Sequence, residues 1–332
     1  MTVEVPRWQA LWARWRHGVA LLSFGAGIGS FLLIQRQERV AQALVFLLPL
    51  SWLLAFAEPA LQRLAERKAA LRLSPLLAGY LTQALHQESL FFTLPFFIAT
   101  VTWNSSQTGF IVLMTALALV SIIDPLYYRH VLPRRALLWS FHAVAAFVTV
   151  LTAAPMLWQL TTTQSLLMAL AMMGTLSLPV WWQLLRLPSG RRALLTAAAA
   201  VTLVWALWQL RAAIPPSTLR VTRIVVTDHV DPAQKEPGDA LTRLPVSSLS
   251  NGLFVWSSIH APRGLHERIE HRWLHNGTLV DVVPLDIAGG REAGYRAWSR
   301  KQSFGDDPRG AWEVRVATQS DQLIGVVRFR VD

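Results

Sequence analysis

The chain of 332 residues is 53% hydrophobic and only 15% charged, a composition too apolar for an ordinary soluble protein. It contains no cysteine, which excludes disulfides, thiolate metal ligands and cysteine nucleophiles. The net charge is +10 over residues 1–216 and +1 over residues 217–332, so the basic excess belongs to the apolar half. The soluble half therefore lacks the basic surface that nucleic acid requires, and we expect no nucleic-acid partner.

The pair Pro215-Pro216 divides the chain into two parts of different character. Long apolar runs interrupted by arginine-rich stretches precede it, and alternating, charge-balanced sequence follows it. We expect a membrane domain over residues 18–211, a proline-containing linker over 212–218 and a soluble domain over 219–332. Two prolines favour a short, semi-rigid connection over a long tether.

The first 17 residues combine three tryptophans at helical spacing with three arginines, namely Trp8, Trp12, Trp15, Arg7, Arg14 and Arg16. Tryptophan and arginine together are typical of a helix at the level of the lipid headgroups. No small-x-small cleavage site follows, so we predict an uncleaved interfacial amphipathic helix over residues 1–17 rather than a signal peptide.

Hydropathy predicts about seven transmembrane helices. Their expected ranges are 18–34, 40–57, 76–101, 108–123, 136–158, 165–185 and 193–210. Thirteen basic residues lie in the N-terminal segment and in segments 58–74, 124–135 and 186–192. On the other side, the first loop has Arg36 and Arg39, and segments 102–107 and 154–163 contain none. The positive-inside rule predicts a cytoplasmic N-terminus, and seven crossings would place the soluble domain in the periplasm of a bacterial inner-membrane protein.

Ionisable residues within predicted spans usually have a structural or functional reason. His86, Glu88 and Asp124 lie at similar depths in the hairpin of the third and fourth spans, and Arg129 and Tyr127 are close enough in sequence to join them. One interpretation is an ion or proton pathway or a buried substrate site. The other is a salt bridge and helix cap that fix the hairpin. No pair of spans has the broken-helix, inverted-repeat pattern of a transporter.

The soluble half contains about seven short strand-like segments separated by turn residues. Asn276-Gly277 between two such segments predicts a tight hairpin. Alternation places Trp312, Val314 and Val316 on one buried face. We therefore expect an all-β, immunoglobulin-like antiparallel sandwich after the α-helical multi-span membrane domain.

The soluble half also carries tryptophan-centred motifs at specific spacings: His271-Arg272-Trp273, Asn276-Gly277, Val283-Pro284-Leu285, Arg296-x-Trp298-Ser299-x-Lys301, Gly310-x-Trp312-x-Val314 and a closing strand through Phe329. Over residues 253–332 this pattern resembles the bacterial domain of unknown function 2914. The apolar half, with Glu88-Ser89-Leu90-Phe91-Phe92 and Asp124-Pro125-Leu126-Tyr127-Tyr128, is similar to the multi-span region that accompanies such domains. The resemblance implies a fold and a setting but no activity. An insertion-like stretch over residues 289–294 departs from the pattern.

The sequence contains no recognisable catalytic, metal or cofactor motif. His266 and His271 are five residues apart, which does not match the zinc-protease spacing of four. His271 and His275 on one strand face could form a two-histidine site, but edge histidines flanking a core tryptophan are the more usual case. No nucleophile elbow or phosphate loop occurs. We therefore expect no cofactor and no bound metal, and we lean against an enzyme.

The remaining candidate is a ligand surface comprising Arg272, Arg296, Trp298, Arg300 and Lys301. An exposed indole among guanidinium groups can stack on a sugar ring or bind an acidic polymer. Alternatively, Trp298 closes the end of the sandwich and the arginine stems cover it.

These observations favour a non-enzymatic envelope scaffold whose partners are the lipid bilayer and, through the sandwich, an envelope protein or glycan. The second hypothesis is a transporter or ion-coupled module that uses His86, Glu88 and Asp124. A membrane-embedded enzyme is the weakest, because no nucleophile, base and metal converge.

Overall fold

A computed structural model describes residues 75–291 and 293–332, together with eight helical residues between positions 18 and 29. The predicted interfacial helix, the second predicted span (40–57) and the basic segment 58–74 lie outside the described residues. From the first predicted span, Phe24 packs edge-on against Phe91, with ring centroids 6.3 Å apart. At least this part of the predicted first span is therefore helical and contacts the next described helix.

The described N-terminal part is helical. Its α-helices are α1 (Pro75–Thr100), α2 (Gln107–Ile122), α3 (Asp124–Leu126), α4 (Arg135–Leu157), α5 (Thr162–Leu184) and α6 (Ser189–Gln209), with a π-helix over Tyr127–Val131 and a 3-10 turn over Arg211–Ala213. A capping box begins α5, in which the Thr161 hydroxyl accepts from the Gln164 N–H and the Gln164 side chain accepts from the Thr161 N–H. This box satisfies two N–H groups at the start of α5, and α4 and α5 pack closely against each other.

The prediction of seven membrane spans is not supported. Among the described residues, α4, α5 and α6 are long and apolar enough to cross a membrane. Helix α2 and the segment Asp124–Val131 that follows it are bent by 90° relative to each other, and together they would make a fourth span if they cross as one. Helix α1 carries Gln83, His86, Gln87 and Glu88 in its centre, which lowers its apolar character. Helix α2 has 16 residues, about 24 Å at 1.5 Å per residue, and is too short alone for a core of about 30 Å.

The C-terminal part is built of strands. They are β1 (Arg220–Thr227), β2 (Val230–Asp231), β3 (Glu236–Pro237), β4 (Arg243–Leu244), β5 (Leu253–His260), β6 (His266–His275), β7 (Thr278–Ala288), β8 (Tyr295–Lys301), β9 (Gly310–Thr318) and β10 (Leu323–Val331). One sheet has the order β1-β5-β8, a second has the order β4-β10-β9-β6-β7, and β2 and β3 form a small hairpin. All pairings are antiparallel except the short parallel contact of β4 with β10.

The core between the two larger sheets follows the alternation of the sequence. Trp312, Val314 and Val316 are buried as predicted, and Trp273 and Phe329 pack with them. Asn276 and Gly277 have φ values of 47° and 83°, the left-handed conformations of a type I′ turn, and they join β6 to β7. Local sequence chemistry therefore specifies both the faces and this hairpin.

One histidine lies inside this core. His271 is fully buried, its Nε2 lies 3.1 Å from the Ser257 hydroxyl and its Nδ1 lies 2.9 Å from the Ser299 hydroxyl. Because β6 belongs to one sheet and β5 and β8 to the other, the imidazole links the sheets. Burial lowers the pKa of His271 to about 3, so the ring is neutral at physiological pH.

The unfolded chain binds a proton at this histidine near pH 6.5, but the folded sandwich does not until about pH 3. The free energy of unfolding therefore falls as pH drops below 6.5, and at pH 5 the loss from His271 should be ~2 kcal/mol. His271→Gln keeps a donor and an acceptor but does not titrate. We predict that its thermal unfolding, followed by tryptophan fluorescence, depends less on pH between 7 and 5 than that of the wild type. Parallel pH profiles of the two proteins would contradict this role.

Candidate functional sites

Polar side chains of α1 compensate for a break in the neighbouring helix. Pro125 has no N–H, so the Ser121 carbonyl lacks the helical hydrogen bond that it would otherwise accept from the residue four positions later. Gln83 Nε2 and Gln87 Nε2 donate to that carbonyl at 2.9 and 2.8 Å, respectively. Both glutamines are buried. Buried carbonyls need a partner, so this pair satisfies the group that the proline leaves unpaired.

The chain bends by 90° where α2 ends and α3 begins. Gln83 Nε2 also donates to Asp124 Oδ1 at 3.1 Å, which ties the bend to α1. The π-helix follows at once, and π-helical segments are frequent at functional sites. No pair of broken spans is predicted from the sequence, and the described residues contain one bent helix pair, which Pro125 interrupts.

A chain of three side chains lies next to the bend. Tyr127 Oη lies 2.9 Å from His86 Nδ1, and His86 Nε2 is in direct hydrogen-bond contact with His142 Nδ1 of α4. His86 and Tyr127 are fully buried. The chain thus connects the π-helix, α1 and α4 through exchangeable protons.

The predicted intramembrane cluster forms only in part. Asp124 accepts a hydrogen bond from Gln83, and His86 is hydrogen-bonded to Tyr127, which lies three residues after Asp124. Glu88 is half-buried and, two residues beyond His86 on a helix, lies on a different side of α1. Arg129 is exposed. Of the five predicted residues, the structure therefore brings His86, Asp124 and Tyr127 near the bend and leaves Arg129 at the surface.

Sequence reasoning missed Gln83, Gln87 and His142. Gln83 and Gln87 are four residues apart, so they share a face of α1, and this i,i+4 pair is visible in the sequence. His142 lies 56 positions from His86. Nothing local connects the two, because their contact depends on how α4 packs against α1.

The five residues predicted as one ligand surface lie in three places. Arg296, Trp298 and Arg300 share the outer face of the three-stranded sheet, whereas Lys301 lies on the opposite face and pairs with Asp281 at 2.9 Å. Arg272 lies in the other sheet. The single surface is therefore wrong for two members, because adjacent strand residues face opposite sides and sequence does not reveal which sheet a strand joins.

The β2–β3 hairpin covers part of the outer face of the three-stranded sheet. Trp256 Nε1 donates to the Lys235 carbonyl at 2.9 Å, and Arg296 pairs with Glu236 at 2.6 Å. Arg296 therefore holds the hairpin. Arg300 remains exposed, with its guanidinium 5.2 Å over the Phe254 ring.

Arg272 belongs to a network of ion pairs at the base of the sandwich. It lies between Glu270 (2.8 Å) and Asp321 (2.6 Å), and Asp321 also pairs with Arg211 beyond α6. Burial alone would raise the pKa of Asp321, but the hydrogen bond and charge of Arg272, together with Arg211, lower it. The carboxylate therefore stays ionised and links the sheet to the end of the helical part.

Side chain to backbone hydrogen bonds join the sandwich to the helix ends. Gln107 Nε2 donates to the Leu323 carbonyl (2.7 Å), Gln322 Nε2 to the Ile214 carbonyl (3.1 Å) and Ser217 Oγ to the Leu151 carbonyl (2.6 Å). The carboxylate of Glu267 accepts from the Thr162 N–H at 2.7 Å. We call these four bonds the seam. The segment 214–219, which includes most of the predicted linker, is buried.

A cleft of about 450 Å³ opens beside the seam, between the loop that connects α1 to α2 and the outer face of the five-stranded sheet. The loop contributes Trp103 and its polar neighbours. The sheet contributes charged and apolar side chains, among them Arg272, Leu274, Leu279, Glu313, Arg315 and Arg328. No sequence pattern predicted this cleft, because its walls are more than 150 residues apart.

His271 and His275 do not form a metal site. His271 is enclosed in the core, and His275 stacks on Trp312 with ring centroids 4.4 Å apart, so the two-histidine site does not form. Within the described ranges, no group of three or more His, Cys, Asp or Glu side chains could hold a metal ion.

Comparison with known families gives two matches. The model of the Family of unknown function (DUF5924) matches residues 1–255, and that of the Protein of unknown function (DUF2914) matches residues 266–331. The second match confirms the resemblance noted for the C-terminal region. The first extends past Pro215-Pro216 into β5, which agrees with the pairing of β1 and β5. No curated protein matches the chain.

The two glutamines can be tested as a structural clamp. Gln83→Leu with Gln87→Leu leaves the buried Ser121 carbonyl unpaired, and we predict a loss of ~1–3 kcal/mol in stability. Adding Pro125→Ala supplies a backbone donor and should recover part of the loss. Thermal unfolding of the purified full-length proteins measures both effects. Unchanged stability in the double variant would show that the bend does not depend on these bonds.

Proposed function

We propose that this chain, which belongs to the family of unknown function DUF5924, is a non-enzymatic scaffold of the bacterial cell envelope. Its helices anchor it in the inner membrane, and its sandwich binds a partner protein or glycan in the periplasm. The observation that supports this proposal is the seam, because it holds the sandwich against the helices, as a domain that works beside a membrane would require. No catalytic group is needed for such a role.

The distribution of arginine supports this orientation. The helix ends away from the sandwich, in segments 124–135 and 184–192, carry six arginines. The ends that contact the sandwich, near 100–107, 157–162 and 209–219, carry only Arg211. By the positive-inside rule the first set faces the cytoplasm, and the sandwich then lies on the periplasmic side.

The strand order supports an immunoglobulin-like assignment for the sandwich. Counting the seven long strands alone, the first, second and fifth form one sheet, and the third, fourth, sixth and seventh form the other. In constant-type immunoglobulin domains the fourth strand joins the first sheet. Here β7 pairs with β6 instead, and the rest of the order is the same.

Arg300 and the aromatic side chains around it are the surface that best fits a glycan. The Arg300 guanidinium stacks on Phe254, and Trp298 lies half-buried on the same face. Aromatic and guanidinium planes stack on sugar rings, and guanidinium donors bind carboxylates of acidic glycans. An acidic envelope glycan is therefore favoured over a protein.

Retention on insoluble bacterial cell-wall glycan tests this proposal. We predict that Arg300→Ala weakens retention of the full-length protein about tenfold. Thermal stability should change little, because the side chain is exposed and its hydrogen bond to the Asn251 carbonyl lies at the surface. Arg330→Ala, also exposed but in the other sheet, is the matched control. Equal retention of both variants and the wild type would refute glycan binding by this face. If Arg300→Ala instead loses a protein that copurifies with the wild type, the partner is a protein.

A second candidate is an ion-coupled membrane module. It rests on the bent α2–α3 segment, where Tyr127, His86 and His142 form a buried hydrogen-bonded chain. Transporters commonly place binding sites at broken helices, and buried histidines can relay protons.

Proton flux into proteoliposomes with a trapped pH-sensitive dye tests the second candidate. We predict that His142→Gln reduces flux, because it interrupts the chain at its contact with His86. Glu88→Gln is the control, since Glu88 lies on another side of α1 and should retain flux. Wild-type flux equal to that of empty liposomes would dismiss this candidate.

A further inference from the structure

The edge strand β7 exposes apolar side chains beside the cleft. Leu279, Val280 and Val282 retain 53%, 45% and 40% of their accessible surface, respectively. Leu279 pairs across the sheet with Leu274, and both line the cleft. Large apolar side chains that cluster at an edge mark an interaction surface more often than isolated ones do.

The opposite wall of the cleft continues the lipid-facing surface of the helices. Trp103 is 58% exposed in the loop that connects α1 to α2, and Val112 and Leu113 of α2 are exposed as well. Exposed apolar residues on a helix of a membrane domain face lipid, and tryptophan at a helix end is typical of the headgroup level. The apolar surface of the bundle therefore runs through Trp103 into the cleft.

The charged part of the cleft is basic. Arg315 and Arg328 both contact the carboxylate of Glu313 through Nε, at 2.5 and 2.6 Å. Their side chains are 49% and 64% exposed, and each guanidinium has several further N–H donors. Two guanidiniums against one carboxylate leave a net positive charge. Arg272 also lines the cleft, but its charge is offset by Glu270 and by Asp321, which lies in the same wall, so the excess positive charge comes from Arg315 and Arg328.

We propose that the cleft binds an anionic phospholipid of the bilayer that surrounds the helices. Its phosphate lies against Arg315 and Arg328, and its apolar portion packs on Trp103, Leu274 and Leu279. The arrangement pairs donors for the phosphate with apolar surface for the hydrocarbon, at the level where one lipid presents both. The seam sets the distance between the two walls, so the site exists only while the sandwich is docked. It is separate from the Arg300 face and does not depend on glycan binding.

The absence of native cysteine makes a site-specific test direct. Leu279→Cys and Val282→Cys, each labelled with an environment-sensitive fluorophore, place probes at the lip of the cleft. Ser303→Cys, exposed in the loop after β8, is the control. In nanodiscs of full-length protein, brominated phosphatidylglycerol should quench positions 279 and 282 several times more than position 303. Equal quenching at all three positions would overturn the proposal. Fluorescence that changes with protein concentration instead would mean that a second copy covers β7.

A second measurement tests the headgroup chemistry and does not rely on the probes. Phosphatidylglycerol should raise the thermal unfolding temperature of the wild type above its value in phosphatidylcholine, and its apparent affinity should fall about tenfold in Arg315→Gln with Arg328→Gln. Arg330→Gln, on the same strand as Arg328 but outside the cleft, should behave as wild type. An equal loss of affinity in Arg330→Gln and in the double variant would overturn the site. Stabilisation of the wild type by inorganic phosphate alone would also overturn it.

Discussion

The seam between the helix ends and the sandwich is the constraint on which the rest of the structure depends. Each of its four hydrogen bonds pairs a side chain with a backbone group, and three of them bridge residues more than 100 positions apart. A typical buried hydrogen bond contributes about 1 kcal/mol, and breaking one costs more because the buried group is left unpaired. The seam and the buried segment 214–219 together hold the sandwich against the bundle, and the cleft exists because both walls are fixed.

Within the membrane part, one proline has an equally wide effect. Pro125 removes a backbone donor, the helix bends, and the freed Ser121 carbonyl is paired by Gln83 and Gln87. This repair explains the two glutamines of α1 and requires no transport function. The contact of His86 with His142 and Tyr127 is not part of the repair. That residual chain, rather than the acidic residues, is what an ion-coupled function would use.

The sequence predicted features that depend on neighbouring residues. Alternation identified the buried face of Trp312, and Asn276-Gly277 predicted its turn, because strand pleating and left-handed backbone conformations are local properties. Among the described helices, hydropathy counted α1 as a span because it averages over polar residues such as Gln83 that α1 uses internally. Other features depend on long-range packing, which no local pattern encodes. Examples are the contact of Gln322 with Ile214 and the placement of Arg272 and Arg296 in different sheets.

The central claim is that the sandwich is docked and not tethered. The most direct measurement is a spin-label distance between Trp158→Cys, at the exposed end of α4, and Ser303→Cys, at the far end of the sandwich, in full-length protein in nanodiscs. The chain has no other cysteine, so only these two positions are labelled. A docked sandwich predicts a single narrow distance distribution that broadens when Gln322→Ala and Gln107→Ala remove two bonds of the seam. A broad distance distribution in the protein that retains all four bonds of the seam would contradict docking.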